Sequence, residues 1–318
     1  MSVVICTRDR AALLGRCLES IGRDRPAMAV EIVVIDNGSR DATAAVVASQ
    51  VPGFPHALRC VLEARPGKSH ALNRGVREAR GAVLLFTDDD VRVEPGWLEE
   101  LATPLADAGV VAVGGRTLPD WPAPPPAWLG NQLSRDLGLR DLGDTARSAE
   151  PGDSIGANMA LRAADLHALP APSGADGPFD PALGPAGSVK VDYEEFDLLQ
   201  RLPAAGRRVY APGAVVRHHV DAARLSQAWL RRTYFQRGFG KARHLRAGGA
   251  ELRPLQYRVR VALHNLRAAR AQRRRNRGGP DEAALVTEFQ LYLDAGHDLD
   301  MALARWPGLA ALLARRLV

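Results

Sequence analysis

Four short apolar runs, each ending in polar or acidic residues and each followed by a helix-patterned segment, occupy the first ninety residues of this chain. The runs are Val3–Cys6, Glu31–Ile35, Leu58–Leu62 and Ala82–Thr87. Between them, Arg10–Ile21, Ala42–Ala48 and Lys68–Ala79 carry helical spacing. Strands that are apolar without alternation are buried on both faces, and helical crossovers between them make the strands parallel, so the spacing predicts an α/β layer architecture. Ligands of such sheets sit outside the carboxyl ends of the strands. The residues expected there are Thr7-Arg8-Asp9, Asp36-Asn37, Glu63 and Asp88-Asp89-Asp90.

Downstream, the pattern predicts a helix near Trp97–Ala108 and a strand near Val110–Gly114. Leu118–Ala127 is proline-rich and is expected to be irregular. A second α/β piece follows, with a strand near Ile155–Leu161, a loop through Gly187, a helix from about Tyr193 to Ala205, and strands near Arg208–Ala211 and Ala214–Arg217. Beyond Asp221 the spacing is helical in Leu225–Leu245, Leu255–Ala271, Glu282–Ala295 and Leu299–Leu313, with Gly278-Gly279-Pro280 as a break. The division expected is an α/β domain over 1–222 and a helical region over 223–318, basic in its first half.

The net charge of +6 conceals an asymmetry: 16 of the 42 Lys and Arg lie between Arg224 and Arg277, against the single acid Glu251. Such a stretch faces phosphate, nucleic acid, an anionic membrane or water. Cys6, Cys17 and Cys60 have no metal-ligand spacing and are too few for a disulfide framework, which fits a reducing, cytoplasmic setting. The start lacks the basic and long apolar regions of a secretory signal, and no run approaches the ~18 apolar residues of a membrane span.

Asp88-Asp89-Asp90, at the end of a buried strand, is the strongest chemical signal. Successive acids repel one another, and a divalent cation with a preference for oxygen ligands, Mg²⁺ or Mn²⁺, is the usual compensation. In extended geometry Asp88 and Asp90 point the same way, one able to hold the metal and the other a ribose or a metal-bound water. The competing reading is a solvated acidic turn. Gly67-Lys68-Ser69 is not a phosphate-binding P-loop, because that motif requires glycine where Leu62 stands.

Taken in order, four motifs resemble the nucleotide-sugar-dependent glycosyltransferases of family 2. They are Thr7-Arg8-Asp9-Arg10 after strand 1, Asp36-Asn37-Gly38-Ser39-Arg40-Asp41 after strand 2, Gly67-Lys68-Ser69-His70-Ala71-Leu72-Asn73-Arg74-Gly75, and Asp88-Asp89-Asp90. The likeness continues through Gly156-Ala157-Asn158, Phe179-Asp180-Pro181-Ala182-Leu183-Gly184, Asp192-Tyr193-Glu194-Glu195 with Arg201, and Pro212 to His218, covering roughly residues 2 to 220. It implies a GT-A fold, Rossmann-like, with a mostly parallel sheet flanked by helices and, here, a C-terminal helical extension.

The resemblance also implies roles. Asp36 reads the base, where a carboxylate can accept the N3–H of uracil; its other reading is a cap of the turn at Asn37-Gly38. Thr7, Arg8, Asp9, Asn37, Arg65, Lys68, Asn73, Asp88, Asp89, Gly156, Ala157 and Asn158 would surround the nucleotide and donor sugar. Asp90, Asp88 and His218 would hold the metal, with an acceptor-side role for His218 left open. The general base falls at Glu195, where the family pattern has Asp, which leaves Glu194 as its competitor. Arg231, Arg232 or Arg237 could reach the diphosphate, and Trp121 and Trp128 could stack on a sugar.

The activity implied is an inverting, metal-dependent transfer from a nucleoside-diphosphate sugar, UDP- or TDP-linked by preference, to a hydroxyl of a small molecule or glycan. A nucleotidyltransferase acting on sugar phosphates is the alternative, although it would show a glycine-rich basic loop after strand 1. A nucleic-acid module built on the basic helices is a third reading, poorly supported by Tyr234, Phe235 and Phe239, so no nucleic-acid partner is expected. Peripheral membrane contact through those helices and a homodimer both fit the sequence.

Overall fold

The computed structural model describes residues 1–153, 156–172, 174–185, 192–249, 255–304 and 306. Ile155 at the start of one expected strand, Gly187 and the far part of the expected Leu299–Leu313 helix lie outside the described residues. Two compact units are formed. One comprises 1–120, 138–181 and 194–219; the other comprises 121–137, 182–193 and 220–318.

The first unit is built on a nine-stranded sheet. Strands β1 (Ser2–Thr7), β2 (Glu31–Asp36), β3 (Ala57–Leu62) and β4 (Val83–Asp88) pair in parallel in the order β3-β2-β1-β4. Helices α1 (Ala11–Ile21), α2 (Thr43–Gln50) and α3 (Lys68–Glu78) connect them. Both faces of β1, β2 and β4 are buried, whereas β3, at the edge of the sheet, is half-buried or exposed along its length, against the expectation of burial on both faces. Val3, Ile5, Ile32 and Val34 pack with Leu14, Cys17 and Leu18 of α1, whereas Val4, Val33 and Ile35 pack with Ala71, Leu72 and Val76 of α3. The chain leaves β1 for one side of the sheet and later returns to its other side as β4. The carboxyl ends of β1 and β4 therefore flank a topological switch point, where an open α/β sheet parts to admit a ligand.

Beyond β4, strands β5 (Val91–Val93), β6 (Val110–Asp120), β7 (Arg147–Ser148), β8 (Met159–Arg162) and β9 (Arg207–His219) extend the sheet in mixed directions, as β4-β8-β6-β9-β5 with β7 on β9. Helices α4 (Trp97–Ala102), α6 (Ala163–Ala168) and α7 (Glu194–Arg201) belong to the same unit. Two expectations fail here. Leu118, Pro119 and Asp120 are strand rather than loop: pairing with β8 ends at Gly114, and proline is tolerated where one side of a strand has no ladder to feed. The two strands expected around Pro212-Gly213 are one, because the register against β6 shifts between Gly115 and Arg116 and absorbs the pair as an irregularity.

The second unit is helical, with α5 (Asn131–Arg135), α8 (Gln227–Ala247), α9 (Leu255–Arg275) and α10 (Glu282–Ala302). α10 continues through the break expected after Ala295. A Cβ at Gly238 would lie 2.1 Å from Leu293 O and one at Gly296 2.0 Å from Phe235 O, so α8 and α10 meet at backbone contact distance. Arg231 pairs with the buried Glu288, and Arg237 pairs with Asp136. Two of the three arginines offered for a diphosphate, Arg231 and Arg237, are thus engaged inside this unit, and Arg232 is exposed. Among the described residues no helix is long and apolar enough to cross a membrane.

Candidate active site

β4 ends at Asp88, and β9 places His218 opposite Val91 of β5. Asp88, Asp90 and His218 each offer a ligand atom, and these atoms lie within 4.8 Å of one another. His218 Nε2 is 3.4 Å from Asp90 Oδ1, and both side chains are buried. The intervening Asp89 turns away, accepting from Thr7 Oγ1 at 2.7 Å and from Arg10 Nη1 at 3.0 Å. Arg10 Nη1 also donates to Asp90 Oδ2 at 2.8 Å. Burial pushes the Asp89 carboxyl up to about 6; Arg10 opposes the rise and Asp90 adds to it. Arg10 was not singled out in the sequence. Its place in the turn after β1 was the only signal, since the 79 residues separating it from Asp89 hide the pairing.

Lys68 opens α3 and meets three carboxylates. Its Nζ donates to Glu195 Oε1 at 2.7 Å and lies 3.3 Å from Asp88 Oδ1 and 3.8 Å from Glu194 Oε1. Burial works against the ammonium, but Asp88, Glu195 and Glu194 outweigh it and hold Lys68 charged. The second oxygen of Glu195 accepts the Gly156 N–H at 2.7 Å. A Cβ at 156 would fall 1.9 Å from Glu195 Oε1, so glycine is required for the carboxylate to sit there.

The other expected residues fall into two further groups. At the end of β2, Asp36 Oδ1 accepts from Ser39 N at 2.8 Å, closing the turn, while Oδ2 has no protein partner among the described residues. Asn37 donates to Glu63 O and Arg65 O and accepts from Gly67 N, shaping the loop into α3. Arg65 forks onto Glu63 and also reaches Asp176. Arg8 is exposed. Asp9, at φ 53°, accepts from Arg40 N and donates its own N–H to Ser39 Oγ, bracing the first turn against the second.

Asn73 and Asn158 are fully buried and hydrogen-bonded within the protein. Asn73 exchanges two bonds with the backbone of Phe179, tying α3 to the loop before Pro181. Asn158 accepts from Trp97 Nε1 and donates to Arg116 O and Ala214 O. Ala157 O accepts from Thr87 Oγ1. These residues fix the walls of the site from behind.

Around the switch point, five carboxylates (Asp88, Asp89, Asp90, Glu194 and Glu195) face two permanent cations, Arg10 and Lys68. The excess is negative, and two carboxylates with an imidazole suit a Mn²⁺- or Mg²⁺-like ion. His218 Nδ1 is buried with no hydrogen-bond partner among the described residues, and Nε2 lies on the Asp90 side of the ring. The donor set therefore fits a divalent cation.

The fold is the GT-A fold, and the chain belongs to glycosyl transferase family 2, whose profile matches residues 2–167. The glucosyl-dolichyl phosphate glucuronosyltransferase of Haloferax volcanii is 26% identical over 246 residues, 76% of each chain. The glycosyltransferase AglE of the same organism is 28% identical over 116 residues, 36% of this chain and 38% of that one. Among solved structures, the mannosyltransferase PcManGT of Pyrobaculum calidifontis, in complex with GDP-Man and Mn²⁺, superposes with a TM-score of 0.57 at 22% identity, covering 98% of this chain and 79% of that one. The chain spans only 13% and 38% of the length of two of its curated relatives.

Proposed function

We propose that the chain transfers a sugar, with inversion, from a nucleoside-diphosphate donor to an acceptor hydroxyl, and that it needs a divalent ion to do so. The observation that carries this reading is the Asp88–Asp90–His218 cluster at the switch point, linked through Lys68 to the Glu194–Glu195 pair. A divalent ion held by Asp88, Asp90 and His218 would supply charge neutralisation for a departing diphosphate. Asp36 binds the base through its second carboxylate oxygen, favouring uridine or thymidine. The Pyrobaculum protein's GDP-Man supports the nucleoside-diphosphate class and not that choice of base.

Glu195 is the general base. It takes the proton of the acceptor hydroxyl as the new C1–O bond forms on one face of the sugar and the bond to diphosphate breaks on the other. For that, one oxygen must exchange the hydrogen bond it now accepts for the acceptor hydroxyl; the Lys68 side is the movable one, since Gly156 N–H is backbone. Lys68 then stays beside Asp88, close to the leaving group. Residues 1–222 form the catalytic domain in this reading, and 223–318 a helical region. The test is a screen of nucleoside-diphosphate sugars for divalent-dependent turnover, followed by NMR of the product anomer. Inversion is expected; retention overturns the single-displacement reading.

A further inference from the structure

We propose that the outward face of α9 docks on an anionic lipid surface. The inward face of this helix, formed by Arg258, Ala262, Leu266 and Ala269, is buried, with α10 packed against it. On the opposite side Arg260, Leu263, Arg267, Arg270 and Arg274 recur at helical spacing, all exposed, over a length on the order of 20 Å.

Two properties separate this stripe from an ordinary wet helix face. Such faces usually mix signs through i,i+4 pairs, yet no Asp or Glu occurs between Leu255 and Arg277. Arg260, Arg267, Arg270 and Arg274 take no ion pair among the described residues, so their charge is presented outward. Apolar side chains also stand out among them: Leu263 is 48% exposed and Tyr257, at the start of the stripe, 47%. Arginine stems can lie along an acyl boundary with the guanidinium at the phosphates, and a leucine between them inserts below. A nucleic acid would satisfy the arginines but offers nothing to Leu263, so an anionic bilayer is the better complement. Docking of this kind is independent of donor and acceptor.

The test uses the full chain with sedimentable vesicles of phosphatidylcholine, or of phosphatidylcholine with phosphatidylglycerol. The chain is expected to sediment with the anionic vesicles only, less so as salt rises. Combined Arg260→Gln, Arg267→Gln, Arg270→Gln and Arg274→Gln should weaken that binding by about tenfold or more. Circular dichroism checks that this variant keeps its helices. If it does not, a Leu263→Trp variant decides, its emission shifting to the blue on anionic vesicles and not on neutral ones. Equal binding to both vesicle types, retention by the charge variant with its fold intact, or no emission shift overturns the proposal. Duplex DNA that binds the parent at the same salt and displaces the vesicles also overturns it, assigning the face to nucleic acid.

Discussion

Lys68 Nζ donates to Glu195 Oε1 at 2.7 Å, although 127 residues separate the two in sequence, and the same nitrogen lies 3.3 Å from Asp88. One ammonium thus joins the acidic end of β4 to the start of α7. It neutralises carboxylates that would otherwise repel one another in a partly buried space, and it stands where a divalent ion would feel it.

Replacing that ammonium should tighten metal binding. A positive charge 3.3 Å from a ligand carboxylate opposes an incoming cation. Lys68→Gln should therefore bind Mn²⁺ about tenfold more tightly, about 1.4 kcal/mol, without donor present. Calorimetric titration of Mn²⁺ into parent and variant checks this. Weaker binding by the variant would mean that Lys68 supports the carboxylates more than it competes for them.

The base assignment separates the two adjacent glutamates. Glu195→Gln should lower kcat by about 10²–10⁴-fold with little change in donor affinity, because the lost carboxylate acts on the acceptor. Glu194→Gln should cost less or mainly raise the acceptor KM. Steady-state kinetics of both variants decide the matter, and a larger loss at Glu194 exchanges their roles.

Asp36 offers a different readout. Its Oδ1 closes a turn and its Oδ2 is directed to no protein partner among the described residues. Asp36→Ala should weaken uridine or thymidine diphosphate by about 1–3 kcal/mol, as expected for a hydrogen bond to a charged group. If UDP, TDP and GDP keep their parental affinities and ranking, Asp36 serves the turn alone.

The loop into α3 should carry an acid-sensitive contribution to stability. Hydrogen bonds from Arg65 hold the Glu63 carboxyl down to about 2, against the opposing effect of burial. A depressed folded-state value stabilises the protein above the unfolded carboxyl value of about 4.3, and that stabilisation is lost as pH falls toward about 2. Melting temperatures across that window should fall less steeply for Glu63→Gln than for the parent. Parallel curves would show that the pair is too exposed to matter.

Much of the sheet was legible because β1, β2 and β4 are continuous apolar runs, and no other arrangement buries both faces of such strands. The same logic underestimated β6 and β9. Proline and glycine punctuate local structure, but Pro119 sits where its missing N–H has no ladder to feed, and Pro212-Gly213 is absorbed by a register shift. The acidic triplet was legible through its own repulsion. Asn73 and Asn158 show the limit of motif reading. A polar residue in a recurring pattern looks the same whether it touches ligand or satisfies backbone, and their partners Phe179 and Trp97 lie 106 and 61 residues away. Arg10, and the link from Lys68 to Glu195, were hidden for the same reason: these pairings exist only in the fold.

The proposed chemistry depends on metal-dependent binding of a nucleoside diphosphate at the end of β4, which calorimetry measures. UDP, TDP and GDP are titrated into the parent and into Asp90→Ala, each with Mn²⁺ and with chelator. At least one diphosphate is expected to bind the parent with Mn²⁺, and this binding should be lost or much weakened in chelator and in the variant. Equal affinity with and without chelator, or an Asp90→Ala variant indistinguishable from the parent, would contradict it.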